Sequence, residues 1–278
     1  MAGRLGDTSE RDYARKLRLF SAFAEPELRA AIASLRVASG MRVLDAGCGT
    51  GEALGWFAAA VAPGGLAVGI DLSTTHLGAA RAALPSSALL LQADLQRIPL
   101  GDAIFDIVWS VNTIHHLRDP VAGTLALSEL LRPGGRLVLG QSSLLPDMYF
   151  AWDARLERAT NEAVRAYYRD RYRLGEHDLT AVRGIFGLLR WAGLSRVAVR
   201  TLVIERCAPL DPHARAWLLE AIFRGTWGER LRPYLSPEDH EALTRLCDPH
   251  DKQFALHRPD FHFVQTFTLA VGERASTR

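Results

Sequence analysis

Val43-Leu44-Asp45-Ala46-Gly47-Cys48-Gly49-Thr50-Gly51-Glu52 is the stretch on which the reading of this chain turns. An apolar β-forming run meets three glycines at alternate positions, and the helix-favouring Glu52-Ala53-Leu54 follows. This order is that of a buried strand, a tight turn and the first turn of a helix. Glycines at such a turn remove the Cβ atoms that would hold a ligand away from the backbone, and they accept dihedral angles closed to other residues.

Outward from that stretch, short apolar runs alternate with helical ones, the pattern of a parallel sheet covered on both faces. Strands are expected at Met41–Ala46, Leu66–Asp71, Ala88–Ala93, Phe105–Ser110 and Arg136–Gly140, with helices near Gly51–Val61, Thr74–Leu84 and Val121–Leu131. Pro63-Gly64-Gly65 and Arg132-Pro133-Gly134-Gly135 supply stop signals, and Ser73 and Asp119-Pro120 supply starts. Residues 10–37 read as one or two amphipathic helices placed to pack over a ligand mouth. Residues 147–174 read as an aromatic, Arg-rich helical segment, 179–192 as a helix ending at Gly193, and Arg196–Val203 as a sixth strand. Asp211-Pro212 and Ser236-Pro237-Glu238-Asp239 start the helices of a second insertion. In the last strand, Phe261–Val271, residues Phe261, Phe263, Gln265, Phe267 and Leu269 share a face.

Composition bounds the function. The chain has 278 residues and a formal net charge of +2, enough for one large α/β domain and without the concentrated basic excess of a nucleic-acid binder. No run has the length of a membrane span, and the first residues lack the apolar stretch of a signal peptide, so a cytoplasmic location is expected. Cys48, Cys207 and Cys247 are too few and too scattered for a disulfide framework. Cys247-Asp248-Pro249-His250-Asp251, with His257 and His262, contains metal-binding residue types without the spacing of a structural zinc site, so no metal is expected.

The glycine turn departs from the dinucleotide fingerprint Gly-x-Gly-x-x-Gly, since it reads Gly47-x-Gly49-x-Gly51 with an acid at Asp45. Three further segments follow in order: Gly69-Ile70-Asp71-Leu72-Ser73, Gln92-Ala93-Asp94-Leu95, and Leu130-Leu131-Arg132-Pro133-Gly134-Gly135. Together these four, over roughly residues 41–140, resemble the motifs of class I S-adenosylmethionine-dependent methyltransferases. The loop Ser110-Val111-Asn112-Thr113-Ile114-His115-His116 is similar to that of the branch acting in ubiquinone and menaquinone biosynthesis.

The resemblance implies a Rossmann-like α/β fold: a seven-stranded, mostly parallel sheet whose last strand is antiparallel, helices on both faces, and helical cap insertions. It implies one domain, with N-terminal helices at 1–38, a cofactor-binding core at 39–146, insertions at 147–178 and 204–260, and the final strand at 261–272. The implied methyl donor is S-adenosyl-L-methionine, released as S-adenosyl-L-homocysteine. The turn (Gly47, Cys48, Gly49, Gly51) would meet its methionine and ribose portion, and Asp45 would help hold the ammonium. Asp71 would accept from the ribose diol with Leu72 beside it, Asp94 would accept from the adenine amino group, and Leu95 would pack against the ring. In an open parallel sheet ligands gather at the carboxyl ends of the strands, which brings Ser110 and Asn112 to the donor.

The implied reaction moves a methyl group to an O, N or C nucleophile of a small organic molecule, in a monomer or homodimer. His115 or His116 is the candidate base, because an imidazole titrates near working pH; the competing reading is that the pair merely orders its loop. Tyr149, Phe150, Trp152, Tyr167, Tyr168, Trp217, Phe223, Trp227 and Tyr234 suit an apolar acceptor or the packing of the cap, and at helical spacing packing is preferred. Arg155, Arg158, Arg165, Arg169, Arg171 and Arg173 alternate with acids as a solvated helix face does. Three rivals are a nicotinamide dehydrogenase, a nucleic-acid methyltransferase, and a protein that binds the donor without transferring methyl. The glycine spacing and Asp94 oppose the first, and Ser-Val-Asn-Thr in place of an Asn/Asp-Pro-Pro-Tyr/Phe loop opposes the second.

Overall fold

A computed structural model describes residues 13–117, 119–143, 153–172 and 181–276, with the backbone alone at 172 and 181–183. Tyr149, Phe150, Trp152 and Arg173 lie outside the described residues. The core sheet contains β1 (Arg42–Ala46), β2 (Leu66–Asp71), β3 (Ala88–Gln92), β4 (Phe105–Val111), β5 (Leu131–Ser142), β6 (Ser195–Cys207) and β7 (His262–Glu273). Its order is β3-β2-β1-β4-β5-β7-β6, with β7 antiparallel to both neighbours and the other six parallel to one another. The central strands β1 and β4 read as near-continuous apolar runs because both of their faces are covered.

One face is packed by α1 (Tyr13–Phe23), α2 (Glu25–Ser34), α3 (Glu52–Val61) and the second insertion, around Phe23, Phe57, Trp109, Trp217, Phe223 and Phe263. Helices α5 (Pro120–Glu129) and α7 (Ala181–Trp191) fill the other, with Leu127, Ile185 and Leu189 against Val108, Leu137 and Leu139. Helix α4 (Thr74–Ala83) lies beside β2 and β3. The expected N-caps form: Ser73 accepts from the His76 amide at 3.3 Å, and Asp119 from Ala122 at 2.9 Å. Asp211 caps α8 (Pro212–Ala216) and Ser236 caps α9 (Pro237–Cys247) in the same way.

Three elements differ from the sequence expectation. The Arg132–Gly135 turn does not separate helix from strand. Leu131 already pairs with Phe105, Arg136 pairs with Ile107, and the residues between bulge outward around Gly134 at φ +76°. Asp106 fixes this bulge by pairing with Arg132 while accepting the Arg42 amide at 2.7 Å. Secondly, α8 continues as a π-helical stretch over Trp217–Trp227. There the Thr226 hydroxyl donates to the Ala221 carbonyl five residues back, and a Cβ at Gly225 would lie 2.8 Å from the Glu220 carbonyl. Finally, β6 extends to Cys207, further than its apolar pattern foretold, because pairing with β7 continues as far as Cys207 opposite His262.

The N-terminal helices are bound into this body. The Arg206 guanidinium donates to both Glu27 oxygens, at 2.7 and 2.9 Å, and lies over the Phe23 ring. Phe23 in turn stacks on Trp217 and meets Phe263 edge-on. Helix α6 (Ala154–Tyr172) reaches the second insertion through an Arg155–Asp239 ion pair. Tyr167 meets Tyr234 edge-on, while Trp217, Phe223 and Trp227 are buried, so these five aromatics pack the cap. No helix among the described residues is long and apolar enough to cross a membrane.

Candidate active site

The glycine turn leaves β1 beside the end of β2, and β2 holds it there. The Gly47 and Cys48 amides donate to the Ile70 carbonyl at 2.7 and 2.9 Å. Gly47, Gly49 and Gly51 have φ values of +82°, +54° and +90°, which is why non-glycine residues alternate with them rather than replace them. The turn is also crowded: a Cβ at Gly47 would stand 2.3 Å from Thr113, and one at Gly49 would stand 2.9 Å from Leu17 of α1. Helix α1 therefore lies across the turn, as its amphipathic pattern foretold, and Tyr13 stacks on His76 beside it.

Asp71 sits at the end of β2 with more partners than a ribose ligand alone would need. One carboxylate oxygen accepts the Gly49 amide at 2.9 Å; the other accepts the Ser73 amide at 2.8 Å and lies 3.3 Å from His76 Nδ1. Burial acts to raise its pKa. The hydrogen bonds from His76, Ser73 and Gly49 and the nearby imidazole outweigh that, and the net direction is downward. Asp71 is thus an ionised clamp on the turn that retains unused lone pairs.

Asp45 is its opposite. It is 3% exposed, and its Oδ2 is buried without a hydrogen-bond partner. Burial, then the charges of Asp71 and Glu52, push its pKa from 3.8 up to about 8. A buried carboxyl held protonated next to the glycine bend leaves one oxygen whose hydrogen-bonding capacity is unmet. The same surroundings keep the buried Cys48 thiol protonated. Beyond the turn, Leu72 is 67% exposed, Leu95 is buried and Asp94 is exposed, with one oxygen accepting the Gln96 amide at 2.9 Å. A protruding apolar side chain, a carboxylate and a glycine bend thus line the ends of β1–β3.

The residues after β4 divide into a brace and a network. Ser110 is buried, and its hydroxyl donates to the Ala46 carbonyl at 2.9 Å, bracing the turn from beneath. Asn112, at φ +52°, starts a chain whose polarity is set by a backbone amide. The Ser142 amide donates to Asn112 Oδ1 at 2.8 Å, so that atom is the oxygen. Gln141 must then present its NH2 group to Asn112 Oδ1, at 3.1 Å, and its oxygen to His115 Nδ1, at 2.7 Å. Nδ1 of His115 consequently carries the hydrogen, and Nε2 carries the lone pair.

Both histidines lie in a short 3₁₀ turn, Ile114–His116, with ring centroids 3.8 Å apart. Burial lowers the His115 pKa to about 4, with the Gln141 bond acting in the opposite direction. Burial, the neighbouring His115 and Lys16 of α1 hold His116 well below the ordinary imidazole value, and its buried Nδ1 has no hydrogen-bond partner. Both rings are neutral at neutral pH. The sequence reading brought Asp45, the glycines, Asp71, Asn112 and the histidines to one end of the sheet. It missed Gln141 and His76. A polar Gln141-Ser142-Ser143 run at the carboxyl end of an apolar strand was the available signal for the first, and His76 had none beyond its place in the first turn of α4.

Residues 44–139 match the family model described as a methyltransferase domain. Over 117 residues the chain is 34% identical to 27-O-demethylrifamycin SV methyltransferase of Amycolatopsis mediterranei, spanning 40% of this chain and 42% of that protein. It is 35% identical over 152 residues to a malonyl-[acyl-carrier protein] O-methyltransferase of Enterobacter lignolyticus, spanning 53% of this chain and 56% of that one. The chain thus spans about half the length of these curated relatives or less. Among solved structures, the YcgJ protein of Bacillus subtilis superposes with a TM-score of 0.55 at 16% identity, over 91% of this chain and all of that one, which shows the shared fold.

Proposed function

From the premise that this chain carries a class I S-adenosylmethionine-dependent methyltransferase domain, we propose that it transfers a methyl group to a hydroxyl oxygen of a small organic molecule. The observation that carries the proposal is the partnerless buried oxygen of Asp45, near the end of β1 where the glycine bend begins. S-adenosylmethionine supplies an activated methyl group on a sulfonium. Its ammonium group is the cation that Asp45 lacks, Asp71 accepts from its ribose, and Leu72, Asp94 and Leu95 receive its adenine. Cys48 and the three glycines allow the bend to close on its backbone. Ser110 acts from below through the Ala46 carbonyl, and Asn112 acts through Gln141.

The choice of oxygen rests on His115 and on the relatives. A hydroxyl must lose its proton as the O–CH3 bond forms and the S–CH3 bond breaks. A neutral imidazole whose Nε2 lone pair is fixed by a hydrogen-bonded Nδ1 is oriented to take that proton, while burial, which lowers its pKa to about 4 rather than leaving it near working pH, makes it a weaker base than a free imidazole. His116, pressed against it, keeps the pair from charging twice. Aligning the acceptor and excluding water contribute alongside, within the roughly 7–11 kcal/mol that positioning can supply. The rifamycin relative is named for a substrate that lacks a methyl group on an oxygen, which supports the hydroxyl reading, and the malonyl relative is named for O-methylation, there of a carboxylate that needs no base.

The test is a transfer assay with labelled donor and a panel of hydroxylated, amine and carbon-acid acceptors, beside calorimetry with S-adenosylhomocysteine. Labelled O-methyl product together with product binding is expected. Absence of binding to the intact protein overturns the domain's role, and binding with transfer only to nitrogen or carbon overturns the hydroxyl assignment.

A further inference from the structure

Away from the crevice, the register of the last two strands assembles a second group of chemically capable side chains. Cys207 lies directly opposite His262, and Glu205 stands two residues before Cys207, so all three project from one face of the β6–β7 ladder. All three are exposed. His262 Nε2 lies 2.8 Å from Glu205 Oε1, and one ligand atom from each residue lies within 4.8 Å of the others. Arg206, between them in sequence, points to the opposite face, where Glu27 and Phe23 hold it.

We propose that Glu205, Cys207 and His262 form a surface site for a zinc-class divalent cation, distinct from the methyl-donor crevice and independent of it. A thiolate, an imidazole and a carboxylate are the nitrogen, sulfur and oxygen donors that such borderline-soft ions take. Tetrahedral zinc with bonds of about 2.0–2.3 Å separates its ligand atoms by roughly 3.4–3.7 Å. The three side chains are near that spacing already, and side-chain rotation closes the remainder without moving the ladder. Exposure gives the ion an entry path and leaves the fourth position to water. Strand β7 is two strand steps from β4 and β6 is three, roughly 10 and 14 Å at 4.7–4.9 Å per step, so donor binding and cation binding are separate events.

Linear spacing around Cys247-Asp248-Pro249-His250-Asp251, His257 and His262 gives no structural zinc site, whereas antiparallel pairing brings together residues 55 positions apart, Cys207 and His262.

The experiment titrates Zn2+, and separately Co2+, into the full metal-stripped chain against a chromophoric chelator. The wild type is expected to bind one equivalent, and the cobalt form to show a thiolate charge-transfer band in the near ultraviolet. Removing a direct ligand should weaken binding by more than the roughly 10–100-fold that loss of an outer partner costs. Cys207→Ser should therefore abolish the band and the stoichiometric binding, and His262→Ala the binding. The thiols of Cys48 and Cys247 remain in both variants, so loss in Cys207→Ser assigns the sulfur. No stoichiometric binding by the wild type, or binding at wild-type strength by either Cys207→Ser or His262→Ala, overturns the site. S-adenosylhomocysteine binding is expected to be unchanged in both variants; its loss would overturn the separation from the crevice.

Discussion

Replacing Asp45 with Asn isolates the group on which donor binding is proposed to depend. In the free protein burial and the charges of Asp71 and Glu52 hold its proton up to about pH 8, so at pH 7 roughly nine-tenths of molecules are protonated there. An ammonium group seated against Oδ2 favours the carboxylate, and binding then expels that proton. The apparent affinity should rise with pH by up to about tenfold per unit and level off above pH 8. Calorimetry in two buffers of different ionisation enthalpy reads the released proton directly: close to one per donor bound at pH 7 for the wild type, and none for Asp45→Asn. The same shift has a stability counterpart of opposite benefit. A carboxyl whose folded pKa lies above its unfolded one favours the fold fully at low pH, and that contribution is lost as pH rises from 3.8 through about 8. Its upper bound is roughly 5–6 kcal/mol, at 1.36 kcal/mol per pKa unit. Asp45→Asn should thus melt higher than the wild type at pH 9 while binding S-adenosylhomocysteine more weakly. Proton-neutral binding by the wild type between pH 6 and 8, or undiminished affinity in the variant, refutes the reasoning.

Three further outcomes are expected. His115→Ala should lower kcat about 10²–10⁴-fold with KM for the donor unchanged; Gln141→Leu should lower kcat as well and shift the acid limb of the pH–rate profile downward, since the Gln141 bond now raises the His115 pKa. A variant that moves only KM removes the base assignment. Gly47→Ala should abolish S-adenosylhomocysteine binding, because its φ of +82° is strained for alanine and the new Cβ would stand 2.3 Å from Thr113; measurable affinity at wild-type strength contradicts this. Leu72→Ser, which exchanges a 67%-exposed apolar side chain for a small polar one, should weaken S-adenosylhomocysteine roughly tenfold or more while leaving the melting temperature within a degree or two, from the 1.5–3 kcal/mol that full burial of a leucine supplies.

Much of this molecule is local and was therefore legible in the chain. Apolar runs such as Val43–Ala46 and Phe105–Ser110 become buried strands because a parallel sheet leaves them no wet face, and Ser73, Asp119, Asp211 and Ser236 cap helices within three residues of themselves. Asp45 and the glycines of the turn were likewise visible, since their spacing within one short stretch constrains the backbone there. What stayed hidden depends on partners far along the chain. The Arg132–Gly135 bulge is set by Asp106, and the protonation pattern of His115 by Gln141 and, through Asn112, by the Ser142 amide.

By itself, then, the order of residues determined the kind of sheet, the helix starts and the glycine bend, because each follows from dihedral preference and hydrophobic period over a few neighbours. Only the tertiary structure decided the charge of Asp45, the tautomer of His115 and the meeting of Cys207 with His262. Those follow from desolvation and from strand register, and both are properties of segments that touch only once the chain has closed on itself.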